Sequence, residues 1–458
     1  MNNIIDTNTD TDTHIIPLSI VSLLKNQNVR VRARIYKIRV QAQIIFLILR
    51  QENETIQCVY LKNTHNENDD LLNIIINTPR ESVVEITGTV KKSNIKSCSI
   101  QDVEIDIISV VVISLSQLQL PIQIDEKICL SKQSEISARL NNRVLDLRRI
   151  SNQFIFRLKS TIVRYIRDFF DSDNFIEIHT PKLVPNTIEK TFNVKYFKQQ
   201  ANLIDSPQMY KQMVMCSDFT KVYEIGTVFR NIKDDMLLNL TEFTAIDMEM
   251  VFENGYEDMY VMLNGLFSDL FVKLKNFHGV TINHFLDNLE VTKFEFCYPL
   301  LRITYKEAIV LLRNYGIEIS DYEDFSVLNI KILNYLIKKK YNMDVFIVEQ
   351  FPTCITPFYA KPNSSDPLYS NSYNIYMRGI EVLSGSQHIN NYDELVTAAV
   401  SRGIDLSQIS DYLNATKYGT LMYGGACIGL ERVIMSYLGI EDIHNVSLFP
   451  RDSKRLYP

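Results

Sequence analysis

From Val29 to Ile35 the chain reads VRVRARI, with Val29, Val31, Ala33 and Ile35 on one side and Arg30, Arg32 and Arg34 on the other. A strict period of two requires an extended strand with one buried face. Further strand-like runs follow at 44–50 (IIFLILR), 55–61 (TIQCVYL), 82–90 (SVVEITGTV) and 103–114. The segment NDDLLNIIINT between them has the character of a short helix. Several short strands and one helix within such a span predict a small closed barrel.

The OB fold is the barrel type that this element count suits. At 458 residues the chain exceeds one compact core and predicts two or three domains. Residues 1–17 are polar and expected to be disordered, 18–114 form the barrel, 115–150 a hinge, and 151–458 a second domain mixing strands and helices. In that domain Ile155, Leu158, Ile162, Ile166 and Phe169 recur at helical steps, and GLERVIMSYLG forms a last helix closed by Gly439. No apolar run is long enough to span a bilayer and no basic, apolar leader opens the sequence, so a cytoplasmic address without a membrane partner is expected. Seven scattered cysteines without a CxxC pair argue against a disulfide framework and a zinc site. The net charge of −6 disfavours nucleic-acid binding over the whole surface but permits a local basic stripe.

Arg30, Arg32 and Arg34, about 7 Å apart along one strand face, match such a stripe, with Lys25, Lys37, Arg39 and Arg50 nearby. The alternative is an ordinary solvated barrel face. Phe46 is a candidate for stacking on an unpaired base and Gln57 for reading a base edge. Core packing is the alternative for Phe46.

The second domain carries FIEIHTPKL (175–183), VYEIGTVFR with LTEFTAIDMEM (222–250), YSNSYNIYMRGIEVLSGSQHIN (369–390) and CIGLERV (427–433), four segments that in this order resemble those of class II aspartyl-tRNA synthetases of the archaeal and eukaryotic type. FIEIHTPKL (175–183) is similar to motif 1, which in that family builds a homodimer interface around the proline, here Pro181. VYEIGTVFR (222–230) and LTEFTAIDMEM (240–250) resemble motif 2, read as two antiparallel strands. YSNSYNIYMRGIEVLSGSQHIN (369–390) resembles the segment with a magnesium-binding carboxylate, and CIGLERV (427–433) resembles motif 3. SPQMYKQ (206–212) is similar to the family's aspartate-holding segment, and the terminal SLFPRDSKRLYP also follows the type.

The resemblance implies an α+β protein: an OB-fold barrel that reads the anticodon through Phe46, Gln57 and Arg32, and a class II catalytic domain with an antiparallel sheet and flanking helices. It implies Arg230, Arg432 and Glu381 as catalytic, and Glu189, Gln208, Lys211, Arg230, Asp247, Ser384 and His388 as aspartate contacts. Arg230, Glu381, Gly429, Leu430, Glu431 and Arg432 would hold ATP, and Glu381 with Ser384 would hold Mg2+. A lysine suits a carboxylate substrate, although a lone lysine is more often a surface residue. Arg230 and Arg432 suit a reaction that brings anions together.

The chain departs from the family pattern at several positions. Ile232 stands where the family has Glu, Leu237, Leu238 and Asn239 replace a His-Arg-His run, and Asn374 replaces a metal-binding Asp. Ile380 replaces a Glu beside Glu381, and His388 replaces the substrate-binding Arg. After motif 1, Glu189 is followed by Lys190 and Thr191, not by a glycine pair. His388 offers a positive donor if a carboxylate lies beside it, and Asn374 retains a carbonyl oxygen for Mg2+. The expected activity is ATP-dependent attachment of L-aspartate to tRNA(Asp). The alternatives are a tRNA-binding protein without catalysis and an asparagine-specific enzyme, which lacks the Lys211 cation.

Overall fold

The computed structural model describes residues 14–62, 70–124, 133–185, 191–232 and 237–458. Its contacts divide the chain into two compact units, residues 1–127 with 142–154, and residues 128–141 with 155–458. Of the stretch 115–150 expected as a single hinge, 115–127 and 142–150 fall in the first unit and 128–141 in the second.

In the first unit five strands, β1 (Asn28–Gln41), β2 (Ile44–Gln51), β3 (Glu54–Leu61), β4 (Val83–Lys92) and β5 (Val103–Ser114), close in the order β1-β2-β3-β5-β4. The helix Asp70–Asn77 lies between β3 and β4 in sequence. Val29, Val31, Ala33 and Ile35 point inward against Ile45, Leu47, Leu49, Ile56 and Val84, as the alternation predicts. A register shift between Ile35 and Lys37 inserts one residue, so Lys37 and Arg39 stay on the outer face opposite Ile48 and Phe46. Two expectations change here. Disorder, expected over 1–17, does not extend to Ile16, whose amide donates to Arg30 O at 2.7 Å; residues 1–13 lie outside the described residues. Arg50 is not a surface cation: it is buried and paired with the equally buried Glu81 at 2.8 Å.

The second unit is built on eight strands: β6 (Ile176–Glu177), β10 (Lys221–Phe229), β11 (Glu242–Val251), β12 (Leu301–Thr304), β13 (Val345–Glu349), β14 (Ser372–Met377), β15 (Ile380–Gln387) and β16 (Tyr423–Gly429). Their order is β12-β13-β14-β15-β16-β11-β10-β6. Pairing is antiparallel except at the two ends, where β12 runs parallel to β13 and β6 to β10. A smaller sheet joins β7 (Leu183–Pro185), β8 (Asn193–Tyr196) and β9 (Gln199–Leu203) in the order β7-β9-β8.

The strand expected to run through FIEIHTPKL is only two residues long, and Thr180 and Pro181 lie beyond it. Instead Glu224 on β10 gathers that segment: it accepts from Thr180 Oγ1 at 2.7 Å and Lys182 Nζ at 2.6 Å. The helix Ile150–Ser172 buries Ile155, Leu158, Ile162 and Ile166 as the spacing predicts, but Phe170, not Phe169, completes the buried face, stacked on Tyr223. The helix Leu430–Leu438 ends at Gly439, whose φ of 65° is the left-handed conformation that favours glycine. No helix among the described residues is long and apolar enough to cross a membrane.

Candidate active site

Cross-strand partners share a face of a sheet, so the pairing registers place the pocket residues directly. One row runs Asn374, Ser384, Cys427, Asp247, Glu224 across β14, β15, β16, β11 and β10. The next row on the same face runs Ser372, Ser386, Gly425, Glu249, Val222. Gly425 is a glycine for a local reason: a Cβ there would collide with Met248 O and the Glu249 carboxylate. A cavity of about 400 Å³ opens above these rows.

The helix Gln208–Met215 lays Gln208 and Lys211, three residues apart and therefore on one face, against this surface. Lys211 is fully buried, with Nζ 2.7 Å from Asp247 Oδ1 and 3.6 Å from Glu249 Oε1. Burial opposes its charge, but the two carboxylates outweigh burial and raise its pKa. Glu249 accepts from Gln208 Nε2 at 2.7 Å, and its Oε2 lies 3.1 Å from His388 Nε2. Burial would raise the Glu249 pKa, yet His388 and Lys211 hold it below the usual carboxylate range. The carboxylate that His388 needs is therefore Glu249. His388 is itself buried, edge-on to Tyr359 and Tyr423.

At the other end of the cavity Arg230 donates from Nε to Asp205 Oδ1 at 2.8 Å and lies over the Phe243 ring, 5.3 Å from its centroid. Arg432 donates to Glu381 O at 3.1 Å and to Asn239 Oδ1 at 3.4 Å. The Glu381 pKa is raised, chiefly by burial and partly offset by Arg432, while Asp324 adds to the rise. Asn374 donates its amide to Glu381 Oε2 at 2.8 Å.

Of the residues singled out by sequence, Gln208, Arg230, Glu381, Ser384, His388, Gly429, Glu431 and Arg432 line this one cavity. Lys211 and Asp247 lie buried beneath it. Leu430 is packed into the core, and Glu431 is turned inward, bonded to Lys159 Nζ at 2.6 Å and to the Thr244 amide at 3.0 Å. Glu189 lies outside the described residues. Sequence reasoning missed Asp205, Glu249 and Cys427. Glu249 was within reach, because it stands two residues after Asp247 on one strand and must share its face. Cys427 faces Asp247 across β16 and β11, and burial, with Asp247, pushes its thiol up so that it stays protonated.

In the barrel, Phe46 and Gln57 occupy outward positions on β2 and β3, opposite Val59 and Ile48. Phe46 is half-buried and lies outside the buried cluster of the barrel interior. Gln57 Nε2 donates to Glu104 Oε2 at 2.8 Å. Arg32 Nη2 pairs with the buried Glu85 at 2.8 Å, and Arg30 shares that carboxylate, so part of the basic stripe is neutralised within the barrel.

The chain matches the family described as class II tRNA synthetases (D, K and N) over residues 135–453, and the OB-fold nucleic acid binding domain over 29–113. It is 37% identical to the cytoplasmic aspartate–tRNA ligase of Homo sapiens, over 93% of this chain and 88% of that protein. It is 34% identical to the aspartate–tRNA(Asp) ligase of Thermoplasma volcanium, over 96% of this chain and 98% of that one. The aspartyl-tRNA synthetase structure from Entamoeba histolytica superposes with a TM-score of 0.88 at 35% identity, covering 98% of this chain and 93% of that chain. With the barrel, the strand rows and these matches in place, the chain belongs to the class II aspartate–tRNA ligase family.

Proposed function

We propose that this protein activates L-aspartate with ATP and transfers it to tRNA(Asp). The observation that carries the proposal is the convergence of Arg230, Arg432 and Glu381 on one cavity, beneath which the buried Lys211 is paired with Asp247 and Glu249. In the first step an α-carboxylate oxygen of aspartate attacks the α-phosphorus of ATP. The bond to the β-phosphate breaks and pyrophosphate leaves. In the second, the 3′-terminal ribose hydroxyl of tRNA attacks the anhydride carbonyl and AMP leaves. No side chain acts as nucleophile. Arg230 orients the reacting anions, Arg432 faces the phosphate tail, and Asp247 offers a carboxylate to the substrate ammonium. Binding of tRNA without chemistry is not favoured, because the arginines and Glu381 converge on one cavity. Aspartate-dependent exchange of pyrophosphate into ATP tests the proposal; absence of exchange with the wild-type chain sinks it.

Mg2+ is part of this proposal. Such ions bind through one or two carboxylates plus substrate phosphates, and Glu381 with the Ser384 hydroxyl supplies that limited donor set. Among the described residues no cluster of three acidic, His or Cys side chains forms a protein-only cage, which fits an ion arriving with ATP. Bound there, it would neutralise phosphate oxygens, while Asn374 holds the Glu381 carboxylate in place.

A cytoplasmic location follows the names of the relatives. A twofold homodimer around Pro181 is also proposed, supported by the exposed Ile176 and Leu183 flanking that residue. Light scattering at micromolar concentration is expected to give twice the chain mass; a monomer contradicts it.

For the barrel, Phe46→Ala is expected to weaken tRNA binding about tenfold, the low end for loss of a stacked base because the ring is half-buried. Gln57→Ala should cost less, since its amide already bonds Glu104. Arg32→Glu should weaken all tRNAs alike and flatten the salt dependence. Filter binding across a salt series checks all three, and unchanged affinity with Phe46→Ala rules out stacking.

A further inference from the structure

Asp205 and Arg230 are 25 residues apart in sequence, yet the backbone brings them side by side. The Phe229 amide donates to Ile204 O at 2.8 Å, and the Ile204 amide donates to Lys182 O at 3.1 Å. The residue after Ile204 is thereby pinned against the residue after Phe229. On the other flank the Arg230 amide donates to Thr241 O at 2.9 Å. Asp205 Oδ1 then takes the Nε hydrogen of Arg230 at 2.8 Å, while Phe243 covers one face of the guanidinium. Ile232, two residues on, offers no side-chain acceptor.

We infer that Asp205 is a positioning residue for Arg230, holding its guanidinium at Nε between a carboxylate and an aromatic ring so that the planar fork is aimed into the cavity before substrate arrives. Asp205 is bonded at Nε, and in a guanidinium the terminal nitrogens are the pair best suited to a phosphate or carboxylate. Both side chains line the cavity. A carboxylate beside a site for anions weakens their binding in the ground state, so its benefit must lie in orientation, which is felt in turnover. The inference rests on the proposed adenylate chemistry.

The test is pyrophosphate exchange with Asp205→Ala, Asp205→Asn, Arg230→Ala and the double variant Asp205→Ala/Arg230→Ala. Asp205→Ala is expected to lower kcat by about 10- to 100-fold while the KM for ATP moves less than about threefold. Asp205→Asn, which keeps an oxygen acceptor, should recover most of that loss. In the Arg230→Ala background, Asp205→Ala should have no further effect. If Asp205→Ala does not fold, Asp205→Glu replaces it: moving the acceptor by one methylene at unchanged charge should still lower kcat by about fivefold or more. Wild-type kcat in Asp205→Ala or Asp205→Glu, activity above wild type, or an undiminished loss in the Arg230→Ala background would each overturn the inference. If the wild-type chain gives no aspartate-dependent exchange, the aminoacylation proposal falls. Asp205 is then judged by thermal unfolding of the same four proteins: non-additive losses support the pairing, and strict additivity overturns it.

Discussion

Lys211→Met is expected to destabilise the catalytic unit by about 3–5 kcal/mol, the usual cost of removing one partner from a buried ion pair, and to abolish aspartate-dependent exchange. The methionine fills a similar volume, but Asp247 and Glu249 would stay buried without their shared cation. The pH dependence should change with it. Glu249 has a depressed pKa in the folded protein, so its contribution is present above the unfolded carboxylate value of about 4.3 and is lost as pH falls through the lower folded value. Lys211 has a raised pKa, so its contribution is present below about pH 10.4 and is lost as pH climbs through the folded value. Removing Lys211 lifts the folded Glu249 pKa toward the unfolded one. The acid limb of the stability curve should therefore be flatter in the variant than in the wild type. Adding Asp247→Asn should restore part of the stability and none of the activity. Urea unfolding from pH 3 to 11 measures the stabilities and pyrophosphate exchange the activity, and a variant as stable as wild type would show that the buried pair does not exist.

His388→Arg should lower the KM for aspartate by about 10- to 100-fold and leave that for ATP unchanged, as expected for one added charged hydrogen bond. The limit of the histidine is geometric. Its Nε2 lies 3.1 Å from both Gln208 Nε2 and Glu249 Oε2, so it either accepts from the amide or donates to the carboxylate. An arginine has five donors in a plane and can hold Glu249 while sending a second N–H toward substrate. The cavity of about 400 Å³ gives the longer chain room. Exchange kinetics decide: an unchanged aspartate KM means position 388 supports Glu249 and does not touch substrate.

What could be read from the sequence follows the range of the forces involved. Alternation on β1 depends only on neighbouring residues, and the buried set Val29, Val31, Ala33, Ile35 came out as expected. Gln208 and Lys211 came from the resemblance of SPQMYKQ to the family's aspartate-holding segment. Local logic failed where a partner comes from elsewhere in the chain. Arg50 read as a surface cation because Glu81, its buried partner, is 31 residues away. Asp205 carried no signal because its role depends on a backbone bond between Phe229 and Ile204. Phe169 and Phe170 are adjacent, and a shift of one residue in helix phase decides which packs on Tyr223. The β6 strand was overestimated because extended residues need a neighbour to become a strand, and only Ile176 and Glu177 pair with β10.

The interleaving of the two units bears on how far the barrel can be treated as a portable cassette. Its last strand ends at Ser114, but residues 142–154 belong to the same unit. Within it Glu81 is buried against Arg50 at 2.8 Å and Arg148 at 3.1 Å, and Arg149 donates to Gln123 O at 2.9 Å. A graft cut after Ser114 would leave these groups short of partners, one of them a buried carboxylate. Transplanting anticodon recognition to another enzyme therefore means carrying a second, discontinuous stretch of chain, and homologous exchange at a single crossover point would split what has to travel together.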